Sequence, residues 1–122
     1  MKLQKIKNYS HKIMHNSKIE QLLEFLKEDP NDSFTLYALA LEYEKSDTHQ
    51  ARFYYDKLLT EHPSYLATYY HAAKLYESID RTTAKDIYLR GMEVARKSLK
   101  QKAYNELQNA LRLLEDEDED ED

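Results

Sequence analysis

Seven positions of this chain recur after an interval of 33 residues. Leu36, Leu39, Ala40, Tyr43, Ala51, Tyr55 and Leu58 are matched by Tyr69, Ala72, Ala73, Tyr76, Ala84, Tyr88 and Gly91. A chain that repeats itself at this interval is built from helical hairpins, each of which exposes an apolar face until a neighbour covers it. The pattern therefore restricts the fold to a stack of hairpins, and such stacks present surfaces rather than enclosed catalytic pockets. The 122 residues hold one glycine and two prolines, too little turn chemistry for strand hairpins, so an all-α chain is expected. Cysteine is absent, which removes disulfides, thiol catalysis and cysteine-bound zinc.

Charge divides the chain unevenly. The first 18 residues carry five lysines and no acid, while Glu115 to Asp122 is an unbroken acidic run of charge -8. The body between them, with 13 basic and 15 acidic residues, is close to neutral and offers no field to steer it to nucleic acid. No apolar run approaches the ~18–20 residues of a membrane span, and the basic lead lacks a signal peptide's apolar core. A cytoplasmic protein, with no membrane and no nucleic-acid partner, is expected.

Along the sequence, residues 1–17 read as a basic N-terminal extension, poorly ordered or an extra helix, and Met14 is a candidate translation start. Ile19, Leu22, Leu23, Phe25 and Leu26 then fall at helical spacing, and Asp29-Pro30 ends that helix. Asp32 or Ser33 caps a helix to about Lys45, and Asp47 or Thr48 caps another ending near Glu61, before the break at His62-Pro63-Ser64. Helices from about Tyr65 to Ser78 and from Thr82 or Thr83 to about Lys97 follow. The last helix places Tyr104, Leu107, Ala110, Leu111 and Leu114 on one face. It is expected to stop at the acidic run, because like charges repel and oppose the helix dipole.

These residues resemble the tetratricopeptide repeat (TPR) family, whose pattern is W-x2-L-G-x2-Y, then A-x3-F, then P. The first repeat reads Leu36-x2-Leu39-Ala40-x2-Tyr43, Ala51-x3-Tyr55 and Pro63; the second reads Tyr69-x2-Ala72-Ala73-x2-Tyr76 and Ala84-x3-Tyr88. Ala40 and Ala73 oppose Ala51 and Ala84, permitting close helix approach, and the tyrosines fill the wedge between hairpins. The second repeat lacks its proline, Arg96 standing in its place. Leu22, Phe25 and Pro30 precede Tyr55, Leu58 and Pro63 by 33, so residues 18–30 look like half of an earlier repeat. The resemblance covers Lys18 to Leu114. It implies an all-α, TPR-like α-solenoid of antiparallel hairpins in a right-handed superhelical stack. The expected parts are a half-repeat (18–30), repeats at 33–63 and 66–97, a capping helix (100–114) and a disordered acidic tail (115–122).

The resemblance also implies a concave groove lined by the first helix of each hairpin. Phe34, Tyr37, Leu41 and Lys45 lie there in the first repeat, and Tyr70 and Lys74, flanked by Ala67 and Glu77, in the second. Such an aromatic groove with few charges suits an apolar peptide segment or a helix of another protein. A homodimer that pairs the same aromatic surfaces, or the Phe53–Tyr54 pair, is the rival, as is a subunit role in a larger complex. Because Tyr37 and Leu41 stand where a carboxylate clamp would place polar groups, only Lys74 suits that chemistry. His11 and His15 lack a zincin glutamate and a third ligand, so no metal or other cofactor is expected. His49 and His62 read as solvated, and His71 as a surface residue at the groove's edge. Glu42 and Glu44 read as a solvated helical face. No nucleophile motif, phosphate loop or carboxylate pair stands out, and no enzyme is expected.

Overall fold

In a computed structural model that describes residues 14–120, every regular element is an α-helix. The helices are α1 (Met14–Glu28), α2 (Ser33–Glu44), α3 (Thr48–Glu61), α4 (Ala67–Tyr76), α5 (Arg81–Lys97) and α6 (Gln101–Asp120). The basic leader through residue 13 and His11 lie outside the described residues. Two compact units divide within α3, at Tyr55/Asp56.

Aspartates begin three of the helices. The Asp32 carboxylate accepts from the Thr35 amide at 2.9 Å and from its hydroxyl at 2.6 Å, and Asp47 accepts from the Gln50 amide at 3.2 Å. Asp80 accepts from the amides of Thr82 and Thr83 and from the Thr83 hydroxyl. Each satisfies amides that the first turn leaves without an intrahelical partner. No side chain caps α4, which follows Leu66, already in helical conformation. Its ends fall at Ala67 and Tyr76, inside the 65–78 span the sequence suggests, with turn bonds from Thr68 to Tyr65 and from Tyr69 to Leu66 leading in.

In the first unit α1 packs on α2. Leu36, Leu39, Ala40, Ala51 and Tyr55 are fully buried, and Tyr54 stacks on Tyr43 with ring centres 5.8 Å apart. Lys18 on α1 reaches 3.1 Å to Glu42 on α2, which also receives Lys45 at 3.2 Å. Glu42 is 5% exposed, so the solvated face expected there is corrected: two lysines admit the carboxylate to the helix interface.

In the second unit α5 lies against both α4 and α6. Gly91, the chain's one glycine, leaves no room there for a side chain: a β-carbon would stand 2.5 Å from Cβ of Tyr69 and 3.1 Å from a methyl of Leu107. Ala72, Ala73, Ala84 and Tyr88 are fully buried beside them. The Tyr69 hydroxyl donates to the Pro63 carbonyl, and that of Tyr76 to Asp56 at 2.6 Å.

Without a proline at position 96, α5 extends over 17 residues against 14 for α3. It closes through Leu99, whose φ of 58° is left-handed. The Lys100 amide returns to the Ala95 carbonyl at 2.8 Å and the Leu99 amide to Arg96 at 3.2 Å, the paired bonds of a Schellman end.

The acidic run differs most from its sequence reading, for α6 continues to Asp120 instead of ending at Leu114. Arg81 and Lys85, one turn apart on α5, supply the reason. Arg81 donates to Asp118 at 2.8 Å, to Glu117 at 3.3 Å and to the Leu114 carbonyl at 3.3 Å, and Lys85 pairs with Asp118. These cations offset the repulsion that would otherwise unwind the last turns.

Candidate functional site

The six residues named from the sequence fall on both units. On α2, Phe34 is 64% exposed, while Tyr37 and Leu41 are half-buried. Lys45 is exposed, but its ammonium is turned to Glu42. On α4, Tyr70 and Lys74 come together, the ammonium 5.8 Å from the ring centre and 3.7 Å from Glu77. The His71 ring meets the edge of Tyr70 at 5.7 Å.

Around Tyr70 the structure adds residues that the sequence reading did not name. Tyr70 and Lys74 share a hollow of about 160 Å³ with Glu106, Asn109, Ala110 and Leu113 of α6. Leu113 is 51% exposed there, an apolar side chain without full cover. The signal was present in the sequence, but at another interval. The buried α4 set Tyr69, Ala72, Ala73 and Tyr76 recurs as Leu107, Ala110, Leu111 and Leu114, 38 residues on instead of 33. Helix α6 thus carries the packing face of another first helix, and Leu113 sits on its flank. A larger hollow of about 600 Å³ lies along α5 and α6, lined chiefly by the polar Asn105, Gln108, Asn109, Arg112 and Glu115.

Each repeat also buries a second tyrosine, Tyr55 in the first and Tyr88 in the second. The Tyr88 hydroxyl donates to Glu77 at 2.5 Å; burial first, then that carboxylate, pushes the phenol well above its ordinary range. Tyr55, fully buried, is pushed well above its ordinary range first by burial and then by Glu44. His62 also differs from its sequence reading: its Nε2 is buried without a partner, so the ring is not simply solvated.

Burial and ion pairing set the remaining shifts. Burial raises the phenols of Tyr54 and Tyr69, which makes them poorer nucleophiles at neutral pH. The Arg96 bond lowers Glu93, and the Lys85 and Arg81 bonds lower Asp118. These shifts carry carboxylates away from the range in which they exchange protons near pH 7. Among the described residues no group of three His, Asp or Glu is placed to hold a metal ion, and no helix is long and apolar enough to cross a membrane.

Paired helices with alanines at their contacts, tyrosines in the wedges and a 33-residue interval define an all-α repeat protein of the tetratricopeptide class. The comparison with solved structures agrees. A tetratricopeptide repeat domain protein from Salinibacter ruber, determined by solution NMR, is 47% identical, matching 71% of this chain and 90% of its own, with a TM-score of 0.66. A crystal structure of a tetratricopeptide repeat domain protein from the same organism is 46% identical, over 70% of this chain and 97% of its own, with a TM-score of 0.65. The chain belongs to the tetratricopeptide repeat family. No family model and no curated protein matches the sequence.

Proposed function

We propose that this chain is a non-catalytic protein-interaction module, an adaptor or scaffold that seats a peptide segment or helix of a partner on the first-helix surfaces of its repeats. The observation that carries the reading is the uncovered apolar chemistry at those helices. Phe34 on α2, Tyr70 on α4 and Leu113 on α6 are each more than a third exposed, beside half-buried Tyr37 and Leu41. Large side chains on repeat surfaces bind by giving up hydrated area to a partner, and aromatic groups carry much of that energy. Lys45 and Lys74 each lie beside a carboxylate, Glu42 and Glu77 respectively. On this reading the partner-facing residues are Phe34, Tyr37, Leu41 and Lys45 on the first unit and, on the second, Tyr70 and Lys74, extended by Leu113. A cytoplasmic setting fits this reading.

Peptides selected by display against the full chain test it. Selected binders are expected to lose at least tenfold in affinity for a Tyr37→Ala/Tyr70→Ala variant whose helicity is unchanged. Binders indifferent to both substitutions would overturn the assignment. A second reading, self-association, rests on three exposed phenylalanines of the first unit: Phe25 at 58%, Phe34 at 64% and Phe53 at 56%. Light scattering across concentration separates the two, because a stable dimer abolished by Phe34→Ser and Phe53→Ser would assign that surface to a second copy.

A further inference from the structure

A second helix of this fold is shared by two first helices, as α5 packs against both α4 and α6. Among the described residues, α1 is a second helix with no first helix before it, and α6 a first helix with no second helix after it. On α1, Leu22 and Phe25 hold the places that Tyr55 and Leu58 hold 33 residues on. Tyr55 and Leu58 are fully buried, whereas Leu22 is half-buried and Phe25 is 58% exposed. The α1 face that a preceding first helix would cover is open.

The complementary gap lies beside α6. Leu59, near the end of α3, marks where the next second helix arrives, for its carbonyl accepts from Arg90 of α5 at 3.4 Å. Met92 stands 33 residues beyond Leu59, on α5. Leu59 is buried, but Met92 is half-buried, and beside it opens the hollow of about 600 Å³ along α6. That hollow is the seat of the second helix that would complete a repeat on α6.

We propose that α1 of a second copy of this chain occupies the hollow, antiparallel to α6, so that two copies complete one repeat between them. The second repeat supplies the register, since Tyr88 donates to Glu77 and Gly91 admits Tyr69. Two intervals of 33 before Tyr88 and Gly91 stand Leu22 and Phe25, and 38 beyond Glu77 and Tyr69 stand Glu115 and Leu107. In that register Leu22 and Phe25 enter beside Gln108 and Leu111, which line the hollow. Charge follows the same order. Lys18, one turn before Leu22, comes to the acidic end of α6 from Glu115 onward, while Glu28 and Asp29 come to Lys100 and Lys102, and all of these are exposed. A parallel arrangement would set like charges together instead. The contact joins two different surfaces, so a dimer keeps one open α1 and one open α6 and can grow further. None of these residues belongs to the proposed partner surface.

Sedimentation velocity on the full chain and on two variants at exposed positions tests the assignment. Phe25→Asp blocks α1 and Gln108→Asp blocks the hollow, and circular dichroism should find the helicity of both unchanged. The parent is expected to show a mass that rises with concentration past that of a dimer. Each variant alone should associate roughly tenfold or more weakly. Mixed in equal amounts, the two should recover association but stop at a dimer, because each supplies the surface the other lacks. Glu28→Lys and Lys102→Glu should each weaken association, and a chain carrying both should regain it. A parent that stays monomeric up to about 1 mM would overturn the proposal. So would variants that associate as the parent does, a mixture no heavier than its components, or a double charge variant that regains nothing. A closed dimer lost on Phe34→Ser and Phe53→Ser but kept in Gln108→Asp would overturn it in favour of the phenylalanine surface.

Discussion

Gly91→Ala is the substitution in which local helical preference and tertiary packing oppose each other most directly. In an isolated helix the change would stabilise by about 1 kcal/mol, because alanine loses less backbone freedom than glycine. Here the added methyl would lie 2.5 Å from Cβ and 2.9 Å from Cγ of Tyr69, and 3.1 Å from Leu107. The Leu107 methyl can turn aside; Cβ of Tyr69 cannot, being bonded to the α4 backbone. Restoring an ordinary carbon–carbon separation of about 3.5–4.0 Å therefore requires α4 and α5 to part by roughly 1 Å. Parting them also strains the buried Ala73 and Ala84 contacts and the Tyr69–Pro63 hydrogen bond. Overpacking a tight core costs about 1–3 kcal/mol, and the upper end applies where backbone must move. Net of the helical gain, a loss of about 2 kcal/mol is expected. At about 4–8 °C per kcal/mol for a unit of this size, the melting temperature should fall by roughly 8–16 °C. Far-UV circular dichroism during thermal and urea unfolding measures it. A variant as stable as the parent would refute the claim that Gly91 sets the spacing of α4, α5 and α6.

Other substitutions probe the capping and charge arguments. Leu99 is left-handed and 89% exposed, so Leu99→Gly removes conformational strain at almost no cost in packing and should stabilise by about 1 kcal/mol, read as a higher urea midpoint at unchanged slope. Asp118→Asn should speed amide exchange over residues 115–119, and 1 M salt should do the same to the parent by screening Arg81 and Lys85, with a Debye length of about 3 Å. Burial would raise Glu42, but Lys18 and Lys45 outweigh it and hold the carboxyl below its ordinary 4.5. Its stabilisation is thus present above pH 4.5 and lost as pH falls through the lower folded value. Glu42→Gln should be less stable than the parent at neutral pH, and that gap should close as the medium is acidified.

The 33-residue interval made the helical hairpins legible because it acts on packing positions. Ala40, Ala51, Ala73 and Ala84 recur at fully buried positions, where a small side chain lets paired helices approach closely. What the interval concealed was α6, whose Leu107, Ala110, Leu111 and Leu114 repeat the α4 face at 38. The longer α5 shifts the register, so a fixed offset finds no match although the physical role is the same. Glu42 was misread because a glutamate on a helix says nothing of Lys18, remote in sequence, that makes its burial tolerable. The acidic run was misread for a similar reason: a block of like charge reports its own repulsion, not the Arg81 and Lys85 that answer it. Tyr37 and Tyr70 are visible as surface aromatics, but the Tyr88–Glu77 pair depends on which face of the second helix turns inward.

A division of labour between positions follows from comparing the two repeats residue by residue. Several positions are retained: Ala40 and Ala73, Tyr37 and Tyr70, Glu44 and Glu77, Tyr55 and Tyr88. Other first-helix positions differ, with Phe34 against Ala67 and Leu41 against Lys74. On the proposed interaction reading, the varied positions distinguish the surface of one repeat from that of the other. An exchange of residues 41 and 74 isolates this point, because Leu41→Lys and Lys74→Leu together leave net charge and composition unchanged. In the exchanged chain the first repeat carries its own cation and the second has lost one. Peptides selected against the parent on the proposed interaction surface should therefore bind the exchanged chain at least tenfold more weakly. Undiminished binding, with helicity intact, would show that residues 41 and 74 do not contact the partner.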